Sequence, residues 1–142
     1  MTSSIVLDAS VVIKWFHEEP DTPHAERIRA ALLDGVLRVQ VPGLLLYEVS
    51  NVLVWKAGSR AELVMEVIDC MEQLPWWVTH PTAQLMHEAV AIAAEYKTSV
   101  YDAVYVVLAL RSHVPLVTAD AKLVQSLAHE QVVHLHDFSW EQ

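Results

Sequence analysis

A chain of 142 residues, 54% hydrophobic and 19% charged, has the length of one domain and too much apolar content for disorder. The single cysteine, Cys70, excludes a disulfide framework and a cysteine zinc cluster. The net charge of −9 excludes a simple basic nucleic-acid clamp, but not a nucleic-acid enzyme whose metal supplies the positive charge.

Ile5, Val6 and Leu7 form a short apolar strand that ends at Asp8. Ser10 is placed to cap a short helix over 11–16, and the stretch 18–21 reads as a turn. A polar-faced helix over 24–33 closes at Asp34 and Gly35, before an alternating strand over 36–41. Pro42 suits the first turn of an apolar helix running to Ala57, with Gly58 as its stop. Further helices are expected over 59–74, 82–96, 100–110 and 122–129, and further strands over 76–78, 115–118 and 132–135. Strands alternating with helices indicate an α/β fold: a single domain over 1–142, with helices on both faces of a central, mostly parallel sheet of about five strands. No apolar run approaches the ~18 residues of a membrane span. Met1 to Ser4 bring no basic region of a signal peptide, so a cytoplasmic, soluble chain without membrane contact is expected.

In parallel α/β sheets, ligands gather outside the carboxyl ends of the strands. Asp8 follows the first strand and Asp120 a later one, so both carboxylates belong at that edge, although each also suits a helix cap. Glu48 interrupts an apolar helix, with Leu44, Leu45 and Val52 as its neighbours on the same face. A carboxylate there needs a base, a proton, a metal or an outlet to solvent. Asp102 is the only charge between Lys97 and Arg111, and it also fits a capping box with Ser99. Four such acids together repel one another and call for a cation. An all-oxygen donor set favours Mg²⁺, with Mn²⁺ as an alternative. Such a metal activates water for phosphodiester hydrolysis. Ser10 and Thr118, near Asp8 and Asp120, and Asn51, one turn from Glu48, are candidates to hold the acids or their waters.

The motifs around these acids resemble those of the PIN-domain ribonucleases, in particular VapC-like toxins of toxin–antitoxin pairs. Residues 6–16 resemble the family's first strand and acid. Glu48, Val49, Ser50, Asn51, Val52 and Leu53 resemble its second motif. Tyr101, Asp102, Ala103, Val104 and Tyr105, with Leu108 and Ala109, resemble the third, and residues 115–120 the fourth. The resemblance covers nearly the whole chain. It implies a PIN-like three-layer α/β/α fold and an acidic Mg²⁺ site of Asp8, Glu48, Asp102 and Asp120. It also implies Mg²⁺-dependent endoribonuclease activity, a homodimer and neutralisation by a small VapB-like antitoxin. Some members carry a further acid after the fourth motif, where this chain has Ala121, Lys122 and Leu123.

Lys14, Lys56 and Lys97 are candidate contacts for RNA phosphates, as is Arg111. Trp15, Trp76 and Trp77 read as core or interface before base-stacking platforms, and Cys70 as core. His134 and His136 would point the same way on a strand, but with no third ligand in view they do not read as a zinc site. The helices over 42–74 carry more apolar surface than one sheet face needs, which also points to a homodimer. Two other readings stand beside the ribonuclease: a catalytically weak PIN-like binding module, and another Mg²⁺-dependent phosphoryl hydrolase. A haloacid-dehalogenase site needs a second Asp where Ser10 stands.

Overall fold

A computed structural model describes residues 2–56, 58 and 60–140. The chain begins with β1 (Ser3–Leu7), α1 (Ala9–Val12) and a 3-10 turn (Ile13–Trp15), then α2 (Thr22–Leu33) and β2 (Leu37–Pro42). There follow α3 (Leu44–Trp55), α4 (Ala61–Gln73), β3 (Trp77–Thr79), α5 (Ala83–Tyr96) and α6 (Val100–Ser112). The last elements are β4 (Leu116–Thr118), α7 (Ala121–Leu127), β5 (Val132–His134) and a 3-10 turn (Leu135–Asp137).

All the strands are parallel, in the order β3-β2-β1-β4-β5. The central strand β1 pairs Val6 with Gln40 on one side and with Leu116 on the other. Flanked in this way, Ile5, Val6 and Leu7 lose essentially all exposure, which is why the strand is apolar on both faces. The order reverses after β3, so right-handed crossovers put α1 to α4 on one face and α5 to α7 on the other. The switch point lies between β1 and β4, and the crevice outside their carboxyl ends is where such a sheet binds ligands. Helix α6 lies along β1, β2 and β4, with every residue from Ala103 to Ala109 buried.

Pro42 ends β2 in register with Thr79 and does not open the following helix. The next ladder donor is the Gly43 amide, 2.9 Å from the Thr79 carbonyl, so the missing N–H of Pro42 costs no bond. The last strand stops at His134, because the His134 Nδ1 accepts the His136 amide and turns the chain into a 3-10 turn. The expected helix end at Ala57 and start at Ser59 lie outside the described residues. Trp15 belongs to the core: its Nε1 donates to the Ala25 carbonyl at 2.7 Å, and its ring stacks on Trp76. Trp77, by contrast, is exposed, and Cys70 is only partly buried.

Helix α4 stands out from the core. Met71 is its one fully buried residue, while Leu63, Met65 and Ile68 face solvent. Met71→Ala should therefore cost about 2–4 kcal/mol in urea unfolding. It should also raise amide exchange in α4 more than in α6. Equal loss of protection in both helices would show that α4 is not separately anchored.

Candidate acidic site at the carboxyl edge of the sheet

Asp8 follows β1 directly and caps α1. It is buried, and its Oδ2 accepts from the Ser10 hydroxyl at 2.5 Å, the Thr118 hydroxyl at 3.0 Å and the Ser10 amide at 3.3 Å. Oδ1 takes none of these bonds. Each hydroxyl also accepts a backbone N–H from the turn after β4: Ala119 to Ser10 at 2.9 Å, and Asp120 to Thr118 at 3.1 Å. Ser10 and Thr118 thus join the ends of β1 and β4 around one carboxylate. Burial drives the Asp8 carboxyl above the usual range; the bonds from Ser10 and Thr118 oppose the shift, and the Asp102 charge adds to it.

Glu48 lies half-buried on α3, where its Oε1 accepts the Tyr105 phenol at 2.6 Å. Burial raises its pKa, the Tyr105 bond lowers it, and the charges of Asp8 and Asp102 raise it again. Asp102 stands in the first turn of α6, which begins at the carboxyl edge because the helix runs back to feed β4. Ser99 caps that helix by accepting the Asp102 amide at 3.0 Å. The Asp102 carboxylate instead accepts Thr98 Oγ1 at 3.5 Å. Its pKa is raised by burial first and by the Asp120 charge, against the bonds from Ser99 and Thr98. Asp120 is exposed, and its Oδ1 caps α7 through the Lys122 and Leu123 amides at 3.0 and 3.3 Å.

The four acids are close enough for their charges to couple in a chain, from Glu48 through Asp8 and Asp102 to Asp120. Among the described residues, no Lys, Arg or His side chain pairs with any of them. A set of mutually repelling carboxylates without a base fits a hard dication. No three of these four carboxylates bring ligand atoms within 4.8 Å of one another among the described residues.

Tyr105 is a candidate site residue to which the sequence pattern gave no role of its own. It lies one turn from Asp102, is fully buried, and is pushed toward its neutral form by burial and by the charges of Asp8 and Glu48. Its signal was the polar tip of a tyrosine inside an otherwise apolar helix, which requires a partner. Asn51 is exposed, and no described hydrogen bond ties it to the acids. Lys14 is buried, with its Nζ 3.1 Å from Glu19 Oε1, and Lys56 Nζ is 2.8 Å from Glu19 Oε2. Arg111 is paired with Glu88, while Lys97 is exposed.

A carboxyl whose pKa is raised on folding stabilises the fold below its unfolded pKa and loses that contribution as pH rises through the folded pKa. In metal-free protein, Asp8→Asn should therefore raise the Tm at pH 7 and do so less at pH 4. The asparagine oxygen can replace Oδ2 in its bonds. A gain of about 1 kcal/mol corresponds to roughly 4 °C in a domain of this size. Melting curves at both pH values decide it; a lower Tm at pH 7 would make Asp8 a net stabilising group.

A family model described as PIN domain matches residues 5–127. The chain is 29% identical over 126 residues to a protein named Ribonuclease VapC3 from Pyrobaculum aerophilum, covering 85% of this chain and 92% of that protein. It is similar in fold to a chain of a toxin–antitoxin complex from Klebsiella pneumoniae, at TM-score 0.65 and 18% identity, covering 92% of this chain and 97% of the other. It is also similar in fold to Mycobacterium tuberculosis VapC20, described as a sarcin-ricin loop cleaving toxin, at TM-score 0.68 and 16% identity, covering 86% of this chain and 94% of the other. PIN-domain nucleases generally use a divalent metal. The family match spans the strands and helices that carry all four acids, and the chain belongs to the PIN-domain family, resembling its VapC-like ribonucleases.

Proposed function

We propose that this chain is a Mg²⁺-dependent endoribonuclease, the toxin half of a toxin–antitoxin pair. The observation that carries the reading is the base-free, electrostatically coupled set of Asp8, Glu48, Asp102 and Asp120 at the switch point of a PIN-domain sheet. The name of the VapC3 relative and the cleaving activity named for VapC20 support it. Mg²⁺ bound by these acids supplies positive charge for the scissile phosphate and activates water. Asp8, buried at the end of β1, is the principal holder, with Glu48 and Asp102 half-buried beside it. Asp120 shares its carboxylate with the α7 cap. Ser10 and Thr118 orient Asp8, leaving Oδ1 for the ion or its waters. Tyr105 holds Glu48 by one charge-assisted bond. The position of Ser10 speaks against the aspartyl-phosphatase alternative: its hydroxyl is bound to Asp8 and the Ala119 amide, in the place where that chemistry needs a second carboxylate.

RNA enters this reading with little electrostatic help. Lys14 and Lys56 are committed to Glu19, and the chain is strongly acidic, so attraction is local to the metal and to exposed cations such as Lys97. Two apolar surfaces support protein partners, a small VapB-like antitoxin and a second copy of the chain. One comprises exposed apolar side chains at the end of α3 and on α4: Trp55, Leu63, Met65 and Ile68. The other is a groove of about 470 Å³ lined by Leu44, Leu46, Tyr47, Leu85, Met86 and Tyr101.

Purified protein should cleave RNA with Mg²⁺, stop with EDTA and recover on Mg²⁺ addition. Asp8→Asn and Asp102→Asn should abolish cleavage while retaining the fold. A folded wild-type chain that binds RNA but never cuts it would favour the binding-module reading. Tyr105→Phe should slow cleavage roughly 10–100-fold, the rate equivalent of the ~1.5–3 kcal/mol of a hydrogen bond to a charged group. An unchanged rate would remove Tyr105 from the site's machinery.

A further inference from the structure

The fold builds a second cluster of ligating side chains, from opposite ends of the chain. Asp21, His134 and His136 each place one ligand atom within 4.8 Å of the others, the one such group of three among the described residues. The sequence offered His134 and His136 without a third partner; the tertiary fold supplies it. We propose that these three residues bind a first-row transition-metal dication of the Zn²⁺ type, which clips the start of α2 to the end of β5.

Four observations carry the assignment. First, two imidazoles and one carboxylate suit Zn²⁺ and its neighbours in the series, whereas Mg²⁺ prefers oxygen donors. The ligand chemistry therefore separates this cluster from the acidic site. Second, Asp21 occupies the N-cap position of α2 but does not cap it, and it adopts a left-handed backbone, φ 68°. Aspartate tolerates that conformation at some cost, and here its carboxylate is spared for the histidines. Third, the two rings already lie 4.1 Å apart, centroid to centroid, and Asp137 Oδ1 stands 3.4 Å from His136 Nε2. With the ion on His136 Nδ1, this carboxylate orients the ring through Nε2, a common arrangement for metal-binding imidazoles. Fourth, His24 Nδ1 is buried without a hydrogen bond and lies 3.9 Å from Asp21 Oδ1, so the cluster borders a further imidazole nitrogen without a hydrogen-bond partner.

His134 Nδ1 accepts the His136 amide at 3.2 Å, and metal binding exchanges this contact. Ligation at Nδ1 displaces the amide, and ligation at Nε2 moves the ring proton to Nδ1. The amide lies in an exposed turn, so water replaces its partner. The two segments meet without the ion as well: Arg27 of α2 sits 5.5 Å from the centroid of the Trp140 ring. The clip also adjoins the acidic edge, because His134 is in register with Thr118, which bonds Asp8.

The test is calorimetric titration of metal-free full-length protein with Zn²⁺, with Co²⁺ absorption reporting the coordination environment. The wild type should bind one Zn²⁺ saturably and melt at a higher temperature with it. Asp8→Asn should bind Zn²⁺ as the wild type does. His136→Ala and Asp21→Asn should each weaken binding at least tenfold, no less than the ~10–100-fold that outer-shell changes cost. His136 is exposed, and asparagine suits a left-handed position, so both variants keep the fold. Absence of saturable Zn²⁺ binding overturns the proposal. So does binding that survives both His136→Ala and Asp21→Asn, and its loss in Asp8→Asn would put the ion in the acidic site. None of these outcomes depends on RNA cleavage.

Discussion

Asp8 Oδ2 accepts three hydrogen bonds at the end of the central strand, and the geometry of the edge around it follows from that arrangement. A buried carboxylate has lost its water and needs replacement donors. The fold supplies two hydroxyls in place of a base. Each hydroxyl gives its proton to Asp8 and takes an N–H from the turn after β4, so no polar group in the network is wasted. The same bonds therefore oppose the push of burial toward a protonated Asp8, lock β1 to β4, and fix the turn that presents Asp120. A lysine or arginine in this place would instead have paired with Asp8 and compensated its charge.

Glu48 and Asp102 extend the same constraint. Each is pushed toward its protonated form by burial and by the other acids, and neither is relieved by a basic neighbour. The protein thus keeps a locally unfavourable charge arrangement in its folded state. Such strain is expected where function and stability compete. Tyr105 moderates it with one donated bond, and the phenol is itself kept neutral by burial and by the charges it faces.

Elsewhere several cations are held in ion pairs. Glu19 gathers Lys14 and Lys56, and Arg111 meets Glu88. These three cations are spent on structure, while the carboxyl edge stays acidic. That edge has two chemical characters: oxygen donors between β1 and β4, and imidazoles with one carboxylate beyond β5. Hard and borderline metal ions distinguish such sites by ligand type.

The strands and helices were legible in the sequence because apolar periodicity is a local property. Asp8 and Asp120 at strand ends, and Glu48 on an apolar helix, were legible for the same reason: a charge in an apolar pattern is conspicuous. Pro42 misled because its role depends on which neighbouring amide completes the ladder, and that is a matter of register with β3. Lys14 read as a candidate phosphate contact, but Glu19 claims it across a turn. Tyr105 stood in the third motif without a role of its own, and α3 brings Glu48 to its hydroxyl. His134 and His136 lacked a partner until α2 delivered Asp21. The sequence by itself determined the parallel α/β pattern and the kind of acid the site uses, since both are written in neighbouring residues. Only the tertiary structure decided which hydroxyl, phenol or lysine meets each acid, because those pairings join residues that chain order keeps apart and sheet order brings together.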